Sequence, residues 1–537
     1  PTTKPMQQRC RHWITGFEAG EFRGETARAG RPCHRARLAV AAAIVFNATL
    51  LGACGGAVVK QELLETSVPT PLKAGRPMEL KVLVFNVEYG GGPATDEAIR
   101  RVNADVVGVL ESYDRLPKIA AATGYPYFNT SLQILSRYPI LEPSGGDGQY
   151  AFIEVQPGFA VVFCNIHLDY VRYGPDGLRA GLAVEDVIAT ENLVRTSAIA
   201  GQLHTLPPLA DRGYPVILTG DFNEPSSLDY TEATAHLAQA PKAAVAWPVS
   251  EALLAAGFRD SFRDVYPDPV KYPGITFPDL NDRIDFIYTS GPTKTVGSML
   301  VGEEGGPGVS IGVSPWTSDH RAVVSTFQVT PLALPALIAV DARLLTVGDK
   351  VAVSYEAPGS TGNVAAIVVP GGDPGSALLR QAAPGVRGTL TFDTSALEPT
   401  SYDVVLTGPD GTEIARVSIL LRARDVRIRL TADRQEYAVG EPIKVIWADG
   451  PANRWDWVAV YRASAAERNV DSYLIWAYAG IHSSGTVPPS VAGSLTLGPD
   501  AEGSPWPLPP GKYVVHYLLA DQYESAGSAG FTVTNEL

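Results

Sequence analysis

Apolar runs of β type recur between residues 80 and 329 and constrain the fold of this 537-residue chain more than any other feature. Helical segments are predicted between them, over 94–103 and 185–205. Alternation of strands with helices is typical of a sheet-rich α/β domain. The predicted strands are LKVLVFNV (80–87), VVGVL (106–110), AFIEV (151–155), FAVVFCNIHL (159–168), YPVILTG (214–220), RIDFIYT (283–289) and RAVVSTFQV (321–329).

After residue 330 the pattern changes to strands and turns, and the sequence repeats itself. LTVGDKVAVSYEAPG (345–359) is similar to YAVGEPIKVIWADGP (437–451). GTLTFDTSALEPTSYDVVL (388–406) is similar to GSLTLGPDAEGSPWPLPPGKYVVHYLL (493–519). Copies of about a hundred residues with closely spaced strands predict two tandem all-β Ig-like sandwich domains, 331–425 and 426–537.

The N-terminal segment is predicted to be a targeting signal rather than part of the fold. A flank containing three arginines precedes an apolar run over 38–53, which ends at Cys54. The run is short for a membrane span of about 20 residues, and the pattern is typical of a secretory signal. LGAC (51–54) resembles the lipobox of bacterial lipoproteins, which implies lipidation of Cys54. We therefore predict a signal over 1–54, a tether over 55–74, and a membrane-anchored lipoprotein in a bacterial envelope or outside the cell. An ordinary cleaved signal and an uncleaved anchor are the alternatives.

Polar residues follow or begin six of the predicted strands. If these strand ends meet, the acids repel one another unless a cation lies between them. Oxygen ligands of this kind suit Mg²⁺, Mn²⁺ or Ca²⁺. Each residue taken singly has an ordinary structural role as its alternative, such as a turn or a strand-end hydrogen bond. The residues are Asn86, Glu88, Glu111, His167, Asp169, Asp221, Asn223, Asp285, Asp319 and His320.

Seven short motifs in this region resemble the endonuclease/exonuclease/phosphatase superfamily. The resemblance covers about 250 residues and implies a catalytic domain over 75–330. It also implies the fold, a sandwich of two β-sheets flanked by helices, with the active site at one edge. The motifs are FNVE (85–88), LES (110–112), ILSRYPI (134–140), NIHLD (165–169), GDFNEPS (220–226), DRIDFIY (282–288) and SDHRAV (318–323).

The resemblance implies a set of metal ligands. Glu111 is similar to the principal ligand of the family, with Asn86 and Asp319 in support. Glu88 is a secondary candidate. The expected cofactor is Mg²⁺, with Mn²⁺ or Ca²⁺ as alternatives.

The resemblance also implies catalytic roles. Asp221 would orient or deprotonate the attacking water, while Asn223 and His167 would hold the oxygens of the scissile phosphate. His320, hydrogen-bonded to Asp285, would stabilise the reacting phosphorus centre or act as the base. An aspartate partner fixes the tautomer of an imidazole and raises its basicity. Whether His320 or Asp221 is the base stays open at the level of sequence.

Two further residues of the motifs have evenly balanced interpretations. Arg137 is predicted either to contact phosphate or to be a solvated surface residue. Asp169 is predicted either to form a local hydrogen bond or to serve as a ligand. The segment 169–182 carries Arg172 and Arg179. It is either a loop at the substrate edge, where the arginines meet a second phosphate, or a solvated loop.

Charge limits the choice of substrate. Residues 75–330 contain 18 lysines and arginines against 30 aspartates and glutamates, and no basic stripe interleaved with aromatic residues is visible. Sequence-specific binding of nucleic acid is therefore not expected. The predicted activity is that of a secreted, lipid-anchored, metal-dependent phosphodiesterase. Its substrate would be nucleic acid, a phospholipid head group or a small organic phosphodiester. The alternative is a catalytically silent surface-binding protein that acts through its Ig-like modules.

Overall fold

Two β-sheets pack face to face between residues 78 and 333 of the computed structural model. The structure describes residues 72–143, 149–237, 243–424, 427–451, 456–469, 472–479, 491–499, 501–503, 505–519 and 523–535. The predicted signal over 1–54, its Cys54 and the tether up to residue 71 lie outside these residues.

The strands of this region include all seven predicted ones and several short additional ones. They are β1 Met78–Asn86, β2 Val106–Leu110, β3 Tyr127–Asn129, β4 Ile134–Ser136, β5 Ile140–Leu141, β6 Ala151–Gln156, β7 Phe159–His167, β8 Val216–Asp221, β9 Arg259–Asp260, β10 Asp285–Ser290, β11 Thr293–Glu303, β12 Val309–Val313, β13 Ala322–Val329 and β14 Leu332–Ala333.

The helices lie between these strands. They are α1 Pro93–Val102, α2 Leu116–Thr123, α3 Gly174–Arg179, α4 Val184–Glu191, α5 Ala200–Asp211, α6 Pro248–Ala255 and α7 Ser261–Val265, with 3-10 turns at Tyr113–Arg115 and Thr234–His236. The predicted helix over 185–205 is interrupted by a π-helical segment, Asn192–Thr196. None of the helices in the described residues has the length and apolar character needed to cross a membrane.

The region has four layers, helices on both outer faces of two stacked sheets. The first sheet has the order β12-β11-β13-β1-β2-β4-β3 and the second the order β5-β6-β7-β8-β10-β9, with β14 paired to β7. One apolar cluster, which includes Val84, Phe163 and Ile217, fills the space between the sheets. Two further clusters lie against the outer helices. The predicted α/β sandwich flanked by helices is confirmed. The central strands read as continuous apolar runs because both of their faces are buried.

A buried ion pair ties α4 and the π-helical segment to the loop after β7. Arg195 donates to Glu191 at 2.8 Å and to the carbonyl oxygen of Val171 at 2.9 Å, and both charged side chains are fully buried. Glu224 lies against Glu191, and burial together with the neighbouring carboxyl raises its pKa well above the usual range. This shift favours the protonated form of Glu224, which reduces the repulsion between the two buried carboxyl groups.

Replacing Arg195 by methionine should lower the free energy of unfolding by about 3–5 kcal/mol, because the substitution leaves Glu191 buried without its cation. Urea denaturation measures this change. Arg212→Met is the matched control, since Arg212 is exposed, and it should change stability by less than about 0.5 kcal/mol. Equal stability of the two variants would contradict the importance of the pair.

The C-terminal region consists of two pairs of sheets with corresponding strand orders, except that the second pair has one additional strand. Its strands are β15 Leu337–Val340, β16 Leu344–Thr346, β17 Lys350–Glu356, β18 Asn363–Val368, β19 Leu379–Ala383, β20 Arg387–Asp393, β21 Ser401–Thr407, β22 Glu413–Arg422, β23 Arg429–Ala432, β24 Glu436–Ala438, β25 Ile443–Ala448, β26 Trp457–Arg462, β27 Tyr473–Tyr478, β28 Gly493–Leu497, β29 Glu502–Gly503, β30 Gly511–Leu518 and β31 Ser525–Thr534, with a 3-10 turn at Pro374–Ser376.

The sequence repeat appears as a repeat of topology. Sheets β15-β17-β20 and β16-β22-β21-β18-β19 form the first pair, and β23-β25-β28 and β24-β31-β30-β26-β27-β29 form the second. In both copies a short strand pairs in parallel with the last strand, β16 with β22 and β24 with β31. This strand-rich architecture is consistent with the predicted Ig-like sandwiches.

Strand pairing and apolar contacts join the sandwich to the first C-terminal pair across the predicted boundary at residue 330. β14 pairs with β7 in the register Leu332 to Ala160, and Ala74, within the predicted tether, bridges Leu332. The apolar cluster of the second sheet extends to Leu337 and Ala339 of β15. Apolar packing therefore crosses the predicted boundary.

Candidate active site

The topology brings the predicted strand ends to one edge of the sandwich. Parallel strands place their carboxyl ends together, whereas an antiparallel neighbour contributes its first residues there. In the second sheet, His167 of β7 and Asp285 of β10 both stand in register with Asp221 of β8. In the first sheet, Asn86 stands in register with Leu110, the residue before Glu111.

A buried histidine–aspartate pair lies at this edge. His320 Nδ1 and Asp285 Oδ2 are 2.9 Å apart, and both side chains are at least nine-tenths buried. Thr276 Oγ1 accepts hydrogen bonds from the backbone N–H groups of Ile284 and Asp285, which fixes the start of β10. Burial opposes the protonation of His320, but Asp285 and Asp221 outweigh it and raise its pKa well above the usual range.

Asp221 is the meeting point of the two sheets. Its Oδ2 accepts a hydrogen bond from Asn86 Nδ2 at 3.0 Å and lies 3.5 Å from His167 Nε2 and 3.7 Å from His320 Nε2. Its Oδ1 accepts the backbone N–H of Asn223 at 2.9 Å. Burial alone would raise the pKa of Asp221, but His320 and His167 lower it to about 2. The carboxylate is therefore ionised at neutral pH.

Three further carboxylates adjoin this point. Asn86 Nδ2 also donates to Glu111 Oε1 at 3.0 Å, and Glu88 Oε2 accepts the backbone N–H of Asp319 at 3.0 Å. Burial raises the pKa of Glu88 to about 7, with a further contribution from the charge of Asp319. Burial likewise raises the pKa of Asp319 to about 6 against the opposing effect of His320.

The donor set fits a divalent cation. In the described residues, no lysine or arginine side chain forms an ion pair with Glu88, Glu111 or Asp319. His320, whose Nε2 lies 3.9 Å from Asp319 Oδ1, offsets only part of their mutual repulsion. Asp221, Asp285 and His320 also bring three ligand atoms within 4.8 Å of one another. In that trio, however, His320 Nδ1 and Asp285 Oδ2 already bond each other. The carboxylates beside the trio are the better ligands for a hard cation.

The structure brings some of the predicted residues to the edge and leaves others away from it. Arg137 is exposed and donates to Asn103, and its backbone N–H binds Asp105, which precedes β2. It therefore lies at the opposite end of that strand from Glu111. Asp169 accepts the N–H of Val171 at 2.9 Å, a local bond.

Asn223 adopts a left-handed backbone with φ +46°. Its Nδ2 donates to the carbonyl oxygen of Leu168 at 2.9 Å, so one amide hydrogen holds the loop after β7.

Several residues at this edge were not singled out from the sequence. The ring of Phe277 stacks on the imidazole of His320, with centroids 4.8 Å apart. Ser318 Oγ donates to the carbonyl oxygen of Asn86 at 2.7 Å and accepts the N–H of His320 at 3.0 Å. Tyr113 donates its hydroxyl to Glu111 Oε2 at 3.2 Å. Ser318 lies within the SDH motif, which is the signal that would have identified it; Phe277 and Tyr113 carry no comparable signal.

The chain is similar to several known proteins. An uncharacterized protein of Caenorhabditis elegans is 29% identical over 255 residues, covering 40% of this chain and 79% of its own length. Among solved structures, an endonuclease/exonuclease/phosphatase of Beutenbergia cavernae is 17% identical, with a TM-score of 0.32, covering 64% of this chain and all of its own. An endonuclease/exonuclease/phosphatase family protein of Bacteroides thetaiotaomicron is 15% identical, with a TM-score of 0.27. The match covers 47% of this chain and 96% of that protein.

The match to a family profile is more specific. Residues 83–320 match the Endonuclease/Exonuclease/phosphatase family. Members of this family are usually phosphoester hydrolases that depend on divalent metals. The matched range begins in β1 and ends at His320, and so contains all of the predicted catalytic residues and metal ligands. Over residues 83–320, the chain is therefore similar to the endonuclease/exonuclease/phosphatase family, and this range includes the whole candidate active site.

Proposed function

We propose that the domain over residues 75–330 is a phosphodiesterase that works with a divalent cation, Mg²⁺ in the first place and Mn²⁺ or Ca²⁺ as alternatives. The observation that carries this proposal is the hydrogen-bonded His320–Asp285 pair beside a cluster of carboxylates that, in the described residues, has no lysine or arginine partner. A positively charged donor and a set of anionic ligands at one edge are what phosphoester hydrolysis requires.

Glu111 would hold the cation, with Asn86, Asp319 and Glu88 next to it. A bound divalent cation polarises a phosphoryl oxygen and offsets the negative charge of the pentacoordinate transition state. The hydrogen bonds of Asn86 to both Glu111 and Asp221 support this assignment, because they join the ligand group to the catalytic group.

Asp221 would orient the attacking water and accept its proton. A general base must be unprotonated, and Asp221 is ionised at neutral pH; because its low pKa also makes it a weak base, orienting the water would be its larger contribution. His320 is the poorer base, because Asp285 and Asp221 favour its protonated form. A protonated His320 would instead donate a hydrogen bond to the phosphoryl oxygens, together with His167. Asn223 would add its second amide hydrogen.

The acidic charge of the domain supports substrates bound through their phosphate group rather than through a long polynucleotide. Nucleic acid ends or short strands, phospholipid head groups and small organic phosphodiesters all meet this description. The leader over 1–54, with lipid on Cys54, would place the domain at the bacterial cell surface. The two C-terminal modules would act as spacers or adhesive domains there.

Removal of the metal is the direct test. The full chain with Cys54→Ser would be assayed on bis(p-nitrophenyl) phosphate and p-nitrophenyl phosphate, with EDTA, Mg²⁺, Mn²⁺ or Ca²⁺. We expect turnover of the diester that EDTA abolishes and that one of the cations restores. A preference for the monoester would make the domain a phosphatase. Folded protein that turns over neither ester, nor DNA, RNA or sphingomyelin, would favour a silent surface-binding protein.

A further inference from the structure

The two arginines of the segment after His167 have different environments. Arg179 forms ion pairs with Asp176 and Asp282 at 2.9 and 2.7 Å, so its positive charge is already neutralised by carboxylates of the protein. Arg172 is exposed, and in the described residues no side chain or carbonyl oxygen binds its guanidinium. Only Arg172 is therefore free to meet an external anion.

This freedom is uncommon among the arginines of the domain. Residues 72–330 contain thirteen arginines. In the described residues, the guanidinium groups of only Arg76, Arg172 and Arg212 form no hydrogen bond or ion pair. Arg76 precedes β1 and Arg212 precedes β8, so both lie at the opposite end of those strands from Asn86 and Asp221. The other ten are Arg100, Arg101, Arg115, Arg137, Arg179, Arg195, Arg259, Arg263, Arg283 and Arg321.

Arg172 follows a backbone that is fixed to the catalytic edge. Leu168 donates its N–H to the carbonyl oxygen of Asp221 at 2.9 Å, and its own carbonyl oxygen accepts Asn223 Nδ2 at 2.9 Å. Arg172 comes four residues later, so its Cα lies within about 14 Å of that of Leu168 even if the chain were fully extended. The turn formed by Asp169 and Val171 shortens this distance further.

The loop that carries Arg172 has an energetically unfavourable backbone conformation. Arg172 has φ +52°, in the left-handed region that residues other than glycine seldom adopt. On one side the buried guanidinium of Arg195 holds the carbonyl oxygen of Val171. On the other side the hydroxyl of Tyr173 donates to Asp282 at 2.8 Å. Buried groups on both sides thus impose the backbone that carries an exposed cation.

A polyanionic substrate needs such a cation. The adjoining edge is rich in carboxylates, which repel every phosphate other than the one that is reacting. A guanidinium binds a phosphate through two parallel hydrogen bonds, and it does so best from a fixed position.

We propose that Arg172 determines specificity by binding a second phosphate group of the substrate, beside the one that is cleaved. The proposal rests on the proposed phosphodiesterase function. It names the substrate class as diesters that carry an additional phosphate, either in a short nucleic acid strand or in a phosphorylated lipid head group.

Two matched pairs of soluble diesters test it. Dithymidine monophosphate is compared with its 5′-phosphorylated form, and glycerophosphoinositol with its 4-phosphate. In each pair only the second phosphate differs. The wild-type kcat/KM should be higher for the phosphorylated member of one pair. The pair that shows this preference indicates whether the substrate is a nucleic acid strand or a phosphorylated lipid head group. Arg172→Ala should lower that preference by about 10- to 100-fold, and Arg172→Lys should restore part of it.

Arg212→Ala is the control, since Arg212 is an exposed and unpaired arginine at the far end of the strands; its preference should equal that of the wild type. No preference in the wild type, or an equal preference in Arg172→Ala, overturns the proposal. If the wild type cleaves none of the four diesters, the proposed function fails instead. In that case, isothermal titration calorimetry with the same diesters in the presence of Ca²⁺ tests whether Arg172 binds the second phosphate. A binding advantage of the second phosphate that Arg172→Ala removes supports the site, and equal binding overturns it.

Discussion

Replacing His320 by asparagine should lower kcat on a phosphodiester by about 10³- to 10⁴-fold. Asparagine keeps a polar group near Asp285 but cannot carry the positive charge that the pair places beside Asp221. Steady-state kinetics at saturating metal measures the loss. Circular dichroism and the Tm of the variant establish that it remains folded.

The partner substitution separates catalysis from simple structural damage. Asp285→Asn keeps the shape of the side chain and should cost about 10²-fold or more, because the ring of His320 loses its charged partner. Since the two residues act as a unit, the double variant should be scarcely slower than His320→Asn alone. Full additivity of the two losses, or activity of His320→Asn within tenfold of the wild type, would contradict the role assigned to the pair.

Replacing Glu111 by glutamine should weaken the binding of the activating metal by about 10- to 100-fold. The substitution removes one negative charge from a cluster that has no lysine or arginine partner in the described residues, while its amide oxygen still accepts a hydrogen bond from Asn86. Activity should therefore fall at low Mg²⁺ and recover in part at high Mg²⁺. Titration of Mg²⁺ against initial rate gives the shift directly.

A second measurement does not depend on turnover. A ligand that binds only the native state raises stability, so Mg²⁺ should raise the Tm of the wild type and raise that of Glu111→Gln less. Glu97→Gln is the matched control, because Glu97 is an exposed acid of α1 paired with Arg100. Its Mg²⁺ dependence should equal that of the wild type. Identical titrations of Glu111→Gln and the wild type would show that the cation binds elsewhere.

The central strands and the residues at their ends were predictable because the physical signal is local. A strand buried on both faces must be apolar, as in β1 and β8, so the polar residue that follows it stands out. VILTGD alone left Asp221 with an ordinary turn as its alternative, and only the polar residues at the ends of the other strands identified it as a site residue. The short strands at or near the sheet edges, such as β3, β9 and β12, were not predicted, because few of their residues are buried.

Other features depend on contacts between distant segments. Phe277 reaches His320 through a loop whose sequence gives no sign of the contact. Arg137 belongs to a motif but lies at the wrong end of its strand, which only the antiparallel pairing of β4 with β2 reveals. The apolar packing across residue 330 was likewise not predictable from the sequence, because Leu332 and Leu337 lie where the strand-and-turn pattern of the C-terminal region begins.

The junction at β14 has a mechanical consequence. Arg343 binds Glu142 and the carbonyl oxygen of Pro143, and Arg387 forms an ion pair with Glu154, so the first C-terminal module is braced against the sandwich as well as joined to it. β7 begins where β14 pairs with it and ends at His167. A pulling force applied to the C-terminal modules would therefore be transmitted through β14 to β7, the strand that ends at His167 in the candidate active site.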